Sequence, residues 1–376
     1  VKLQSGDPAA LASWKQFIDI SFEMCNAVYK RLGVTFPDGI CGESFYNSRI
    51  PSTVAELEKI GLIEMSDGAK VIFTEAYQVP LFLVKRDGGY GYDSTDMAAL
   101  RYRTQELGQD WIIYITDSGQ ENHFKACFEA GGKAGWIDNV RLDHVGFGVV
   151  QGKDRKRFKT RDGSVVRLVD LLDEAKSRML NDLTTRKEQG RTKVSDCMLE
   201  ETASGIGYSA VKFADLKNTR ERDYVFDYDQ MLQSDGETAV YLIYSYARIC
   251  GIIRNVESKC GISSADDLVK EKLSSFKVSR DRPAEWDLAI KILAFSDSLM
   301  NSVEELRPHH LCSYAFELSA AFAKFYTSHQ LVINGPEGTK QLDPEHGENW
   351  LVLLAGVKIA LRDTFKLLGI EKFEEI

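Results

Sequence analysis

The chain holds no Cys-x-x-Cys pair. Its seven cysteines, Cys25, Cys41, Cys127, Cys197, Cys250, Cys260 and Cys312, are odd in number. Their spacing matches neither a disulfide framework nor a zinc site. Reduced, mostly buried thiols in a cytoplasmic protein are the expectation. Histidine is scarce too, with six residues, of which only His309 and His310 are neighbours. Neighbours on a helix point apart, so no metal site is expected. No run of about eighteen apolar residues occurs, the least that a membrane-crossing helix needs, and no membrane partner is expected. The opening "VKLQSGDPAALASWK" lacks a charged segment followed by an apolar one, so it does not read as a secretory signal. It starts without Met and is expected to lie inside a longer protein. There is no Gly-x-x-x-x-Gly-Lys-[Ser/Thr] loop to cradle a phosphate. The net charge of −9 argues against nucleic-acid binding by the whole surface, though not by a local patch.

What is present is an ordinary globular composition, 44% hydrophobic and 27% charged, over 376 residues. That length suggests two or three domains. Residues 8–32 read as a helix, because Leu11, Trp14, Ile18, Phe22, Cys25 and Tyr29 recur at helical spacing. Residues 51–61 read as a second. Then "KVIFT" (70–74), "QVPLFLVK" (78–85), "DWIIYIT" (110–116) and "DHVGFGVVQ" (143–151) read as strands, with helical patterns at "TDMAALRYRTQEL" and "HFKACFEAGGKAGW". This alternation predicts an α/β sheet with parallel crossovers. Ligands of such sheets sit at the carboxyl ends of strands, which here are "YITDSGQENH" and "FGVVQGKDRK". After about residue 165 the strands vanish. Leu168, Leu172, Ala175, Met179 and Leu183 form one helical face, and three longer helical patterns follow. The fold class expected is α/β followed by all-α. Residues 1–165 are assigned to the first part, 166–225 to a helical connection and 226–376 to a helical domain. The stretch 334–349 is polar and turn-rich and reads as an exposed connection.

The densest charge feature is "QGKDRKRFKTRDG", which puts six basic side chains into Lys153–Arg161. It follows the strand "FGVV" and precedes a helix, and Gly152 and Gly163 bracket it, which suggests mobility. Lysines on such a loop can reach triphosphate oxygens and stabilise charge developing there. A solvated charged turn is the plainer reading of the charge alone.

The order of residues adds to this. "KRFKT" (156–160) resembles the KMSKS loop of class I aminoacyl-tRNA synthetases. The longer run "HVGFGVVQGKDRKRFKTRDGSVVRLVDLLDEA" resembles arginyl-tRNA synthetases in particular. So do "GESFYNSRI", "DGGYGYDSTDMAALRYR", "IIYITDSGQENHF", "GYSAVKFADL" and "LRPHHLCSYAFELSAAFAKFY". The resemblance covers nearly the whole chain in family order. It implies the second half of a Rossmann-like class I nucleotide-binding domain, followed by a helical anticodon-binding domain. It implies ligation of L-arginine to tRNA through an arginyl-adenylate, with ATP and its Mg2+. Lys156 and Lys159 fall on the two lysines of KMSKS, and Lys159 is implied to stabilise the departing pyrophosphate. Arg157 and Phe158 depart from Met and Ser, and Thr160 keeps the final hydroxyl.

A pocket that selects a guanidinium over an ammonium needs carboxylates in the plane of its forked donors, with a ring or hydroxyl beside them. By the resemblance, Glu43, Tyr92, Asp96 and Gln120 hold the substrate arginine. Read from the residues alone, Asp96 could merely complement a helix dipole, with Asp93 as the cap, and Tyr92 could be core. His123 lies three beyond Gln120 and is placed near ATP. The segment "HVGF" (144–147) imitates the first class I signature but ends in Phe147, and no other His-x-Gly-His occurs in the 376 residues. The first half of the nucleotide-binding fold is therefore expected to lie outside this chain, and these residues alone are expected not to form an adenylate.

In the helical domain Tyr241, Tyr244 and Arg248 share a face by spacing and are candidates for contact with tRNA. Packing is the competing account of the same spacing. Ala239, Leu242, Tyr246, Ile249 and Ile253 form the opposite stripe and read as core, as do Tyr314 and Phe322. Lys212 is a further candidate for the tRNA acceptor stem. Other synthetases in a complex are a partner class compatible with the resemblance. The competing functions are a non-catalytic tRNA-binding or scaffold protein derived from the same fold and, more remotely, an unrelated α/β phosphate-binding enzyme.

Overall fold

The computed structural model describes residues 3, 7–156, 166–336 and 339–376. The chain divides into two compact units, 1–148 and 149–376. Each is described by itself.

The first unit opens with helix α1 (Pro8–Leu32). It starts where the Asp7 carboxylate accepts the Ala10 N–H at 2.8 Å, and it stops at Gly33, whose φ of 69° suits glycine. None of its residues is buried, and Leu11, Phe17, Ile20, Phe22 and Met24 are exposed. The helix is defined by its caps and periodicity rather than by a packed face. Helix α2 (Ile50–Lys59) buries Ile50, Val54 and Leu57. Strands β1 (Glu64–Ser66), β2 (Ala69–Ile72) and β3 (Leu81–Val84) follow as an antiparallel meander in that order. Helix α3 (Tyr92–Arg101) continues into a π-turn over Tyr102–Glu106. Strand β4 (Trp111–Asp117), helix α4 (Glu121–Lys133) and strand β5 (Arg141–Phe147) complete the unit.

Among the described residues of this unit, only β4 and β5 pair in parallel, in register from Trp111↔Arg141 to Asp117↔Phe147. The expectation of parallel crossovers throughout is therefore corrected for β1–β3. Their connections are too short to carry a crossover, which needs a dozen or more residues. One core gathers Ile50, Leu57, Ile72, Leu83, Met97 and Trp136, and a smaller one joins Ile112, Tyr114 and Phe124. Helix α4 contributes to both, through Ala126, Cys127 and Ala130 in the first and Phe124 in the second.

The second unit begins with β6 (Val150–Gln151), which pairs in parallel with β7 (Tyr224–Val225). Between them run α5 (Leu168–Glu188) and α6 (Leu199–Leu216). Leu172, Ala175, Met179 and Leu183 are buried as the spacing predicts, whereas Leu168 at the helix start is exposed. Gly207 permits the close approach of α5 and α6, because a Cβ there would lie 3.0 Å from the backbone of Ala175. The short α7 (Tyr228–Met231) leads to α8 (Ala239–Cys260), α9 (Ala265–Lys272), α10 (Pro283–Leu293), α11 (Phe295–Glu304), α12 (His309–Ser328) and α13 (Gly347–Leu368). Ala239, Leu242, Tyr246, Ile249 and Ile253 of α8 are buried, as are Tyr314 and Phe322 of α12. The polar stretch after α12 is not wholly irregular. It forms a hairpin of β8 (Val332–Asn334) and β9 (Lys340–Leu342) before α13.

A buried carboxylate ties this bundle together. Glu285 of α10 is 1% exposed and accepts from Ser279 N–H (2.9 Å), Arg282 Nε (2.6 Å) and Trp350 Nε1 of α13 (2.9 Å). Burial alone would raise its pKa, but these donors outweigh it and hold the carboxyl below its ordinary value.

Candidate active site

The segment Tyr92-Asp93-Ser94-Thr95-Asp96 forms the first turn and a half of α3, and each residue has a distinct task. β3 is an edge strand, so its outward N–H and C=O groups need partners. Asp93 Oδ2 accepts from Phe82 N–H at 2.5 Å, and Ser94 Oγ donates to Leu83 O at 2.7 Å. Ser94 Oγ also accepts from Gly91 N–H, and Thr95 Oγ1 donates to Gly91 O, both at 3.1 Å. Gly91 is thus the cap position, and Asp93 lies inside the helix instead of capping it. Tyr92 is 79% exposed, which removes the reading of its ring as core.

Asp96 meets His123 of α4, with Nε2 and Oδ2 at 2.7 Å. The other ring nitrogen, Nδ1, lies 3.4 Å from Asp93 Oδ1. One imidazole therefore sits between two carboxylates three apart on one helix face. The hydrogen bond to Asp96 lifts the His123 pKa above its ordinary value against the opposing effect of burial. Burial raises the Asp93 pKa, and the Phe82 N–H and His123 offset this in part. Cys127, one turn along α4, brings its buried thiol to 3.7 Å from His123 Nε2, and burial pushes that thiol well up.

Gln120 is the cap of α4, exposed, and one turn before His123. It ends the turn Ser118–Gln120, which leaves the carboxyl end of β4. That turn is tied to β5 by Ser118 Oγ donating to Phe147 O at 3.0 Å, and Asp117 Oδ1 accepts Gly119 N–H at 2.8 Å. Tyr92, Asp96, His123 and Gln120 thus lie on two adjoining helix beginnings. Glu43 is exposed at the start of a separate 3-10 turn, Glu43–Tyr46, whose Tyr46 is buried. His144, the imitation signature, lies mid-strand in β5, 2.7 Å from Thr116 Oγ1 and stacked on Phe124.

Of the basic loop, Lys156 is described and exposed, while Lys159 lies outside the described residues. Gly152 is buried in a turn, donating to Lys156 O at 2.8 Å and accepting from Arg155 N–H at 2.9 Å. Lys153 pairs with Asp227 at 2.9 Å, and Asp223 accepts from Val149 N–H and Gln151 Nε2.

In the helical bundle Tyr241 is half-buried against Phe316. Tyr244 lies under Arg186 of α5, with its hydroxyl enclosed. Arg248 is exposed, with its guanidinium over Tyr326. Lys212 does not face outward as a lone cation: its ammonium donates to Gly369 O at the end of α13.

What sequence reasoning missed is the pairing of Asp93 with His123. The signal was available in the i, i+3 spacing of Asp93 and Asp96 and the i, i+4 spacing of His123 and Cys127. The packing of α3 on α4 that joins them was not.

Two family models match the chain: tRNA synthetases class I (R), catalytic domain, over residues 1–228, and the DALR anticodon binding domain over residues 242–376. The chloroplastic/mitochondrial arginine–tRNA ligase of Arabidopsis thaliana is 44% identical over 98% of this chain and 55% of its own length. The cytoplasmic arginine–tRNA ligase of the same plant is 43% identical, over 98% and 60%. That of Pseudomonas syringae is 37% identical, over 100% and 62%. Among solved structures, the arginyl-tRNA synthetase of Plasmodium falciparum superposes with a TM-score of 0.85 at 32% identity, over the whole of this chain and 60% of that one. The chain thus spans a little over half the length of the relatives it matches.

Proposed function

This chain belongs to the class I arginyl-tRNA synthetases, and from that premise we propose that the protein containing it ligates L-arginine to its tRNA through an arginyl-adenylate, consuming ATP. The observation that carries the reading is Asp96. It is a carboxylate with one oxygen held by His123 and the other without a partner among the described residues, one helical turn from the exposed ring of Tyr92. A planar guanidinium needs an acidic oxygen beside a ring, and this arrangement offers both. Gln120 and Glu43 complete the proposed arginine contacts. Lys156 and Lys159 act on the triphosphate, and Mg2+ enters as the counter-ion ATP brings with it. Lysine ammonium groups meet charge that grows on the pyrophosphate as it leaves, and only such growing interactions lower the barrier.

The helical domain takes the anticodon arm, with Arg248 the exposed candidate for a phosphate or base and Tyr241 and Tyr244 supporting the same face. We place the protein in the cytoplasm, where its seven free thiols fit a reducing compartment. Cell fractionation checks that placement. Assembly with other synthetases is a further proposal, checked by the mass of the native particle.

The deciding experiment charges tRNA with each of the twenty amino acids, using the full-length protein and its Asp96→Asn variant. Arginine alone should be charged. The variant should raise the arginine KM by roughly 30-fold or more, the cost of removing one partner from a desolvated ion pair. Binding of tRNA with no ATP-dependent charging would instead favour the scaffold reading.

A further inference from the structure

Both nitrogens of His123 are occupied by carboxylates. Nε2 is 2.7 Å from Asp96, a charge-assisted hydrogen bond, and Nδ1 is 3.4 Å from Asp93, an electrostatic contact. Asp93 in turn is held by the Phe82 N–H at 2.5 Å, and Ser94 anchors the same helical turn to Leu83 O. A continuous chain of contacts therefore runs from the edge strand β3 through Asp93 and His123 to Asp96. Nε2 is thus committed to Asp96, and Nδ1 faces a carboxylate whose charge would repel a triphosphate. The placement of His123 near ATP rests on sequence position alone.

We propose that His123, anchored by Asp93, is the positioning residue of the arginine pocket. It holds one oxygen of Asp96 so that the other is presented to the substrate guanidinium, and its proton competes with that guanidinium for Asp96. This rests on the reading that Asp96 receives arginine. The groups facing the imidazole are Asp93 and Asp96 from α3 and Cys127 from its own helix. Tyr114 of β4 acts on Asp96, and Lys85, just after β3, acts on Asp93. Burial keeps the Cys127 thiol and the Tyr114 phenol neutral, the latter pushed up to about 12. The local balance is therefore two carboxylates against one imidazolium, with Lys85 at the margin. A bound guanidinium brings that cluster of three to neutrality. With His123 still on one oxygen, the guanidinium on the other offsets the Asp96 charge, so the imidazolium becomes the more acidic. By reciprocity, protonation of His123 weakens arginine binding.

The test is tRNA-dependent ATP–pyrophosphate exchange by the full-length protein, with arginine and ATP varied separately across pH. In the native protein the arginine KM should fall as pH rises through the His123 titration, which lies above the ordinary histidine value of about 6.5. His123→Gln retains one donor for Asp96. It should raise the arginine KM only roughly 3- to 10-fold, leave the ATP KM within about twofold, and abolish the pH limb. His123→Ala retains none and should raise the arginine KM further. An ATP KM that rises while the arginine KM stays constant overturns the proposal, as does a pH limb that survives in His123→Gln. If Asp96→Asn raises the arginine KM and the His123 variants do not, this proposal fails while the arginine pocket stands. If Asp96→Asn has no effect, the pocket itself is wrong. Should His123→Ala not fold, the native pH profile and His123→Gln decide the matter between them.

Discussion

Removing the buried carboxylate of Glu285 should loosen the helical bundle by an amount that its bonds allow to be worked out. Oε1 serves the Ser279 N–H, and Oε2 serves both Arg282 and the indole of Trp350. Glu285→Gln can keep its amide oxygen at the Oε2 position, but its NH2 then faces the Ser279 N–H, donor against donor. The loss is one hydrogen bond to a charged acceptor, about 1.5–3 kcal/mol, plus the weakening of two more, for a sum near 3 kcal/mol. Glu285→Ala strands all three donors and the Arg282 charge, at about 3–5 kcal/mol. A chain of two units does not melt as one, so the assay is hydrogen exchange resolved to α10 and α13, with Trp350 fluorescence as a second probe. The pH dependence has a definite sign. Glu285 is held below its ordinary value of 4.5, so its contribution is present above that pH. It is lost as pH falls through the lower folded value. Protection of α10 and α13 should weaken in acid in the native protein and show less of that loss in Glu285→Gln. Opening free energies within about 1 kcal/mol of native for both variants would refute the account.

Two further outcomes concern the chemistry. Lys159→Ala should lower kcat for pyrophosphate exchange in the full-length protein by roughly 100-fold or more with little change in the arginine KM, and equal rates would remove Lys159 from its assigned role. Gly146→Ala would set a Cβ 2.8 Å from Ser118 Oγ and 3.1 Å from its Cα. The overlap should push the Ser118–Gln120 turn off β5 at about 1–3 kcal/mol and raise the arginine KM, as steady-state kinetics would reveal.

Much of the architecture was legible because it is local. The caps and periodicity of α1 lie within residues 7–33, and the buried stripe of α8 follows from spacing alone. The basic loop and the pocket segments are contiguous, so their order carried the family resemblance. The runs at β2, β3, β4 and β5 were legible and β1 was not, and the expected parallel pairing holds for β4 with β5 but not for β2 with β3. Short apolar runs state where a strand lies and not which neighbour it meets, so the antiparallel meander of β1–β3 was hidden. Gly152 suggested mobility at the loop because glycine widens the backbone's freedom. It lies in a turn closed by backbone hydrogen bonds with Arg155 and Lys156.

Residue order settled the elements, the family and the identity of the acidic and basic groups, all of which depend on spacings of a few residues. Tertiary structure decided their assignments. Asp93 and Asp96 lie on one face by helical period, but the imidazole between them comes from 27 positions beyond Asp96. Lys212 is a surface cation by sequence, yet it closes the end of α13, 157 positions away. Contacts at such range are fixed by how whole helices pack. That packing is a sum over many buried side chains, and no spacing within one segment encodes it.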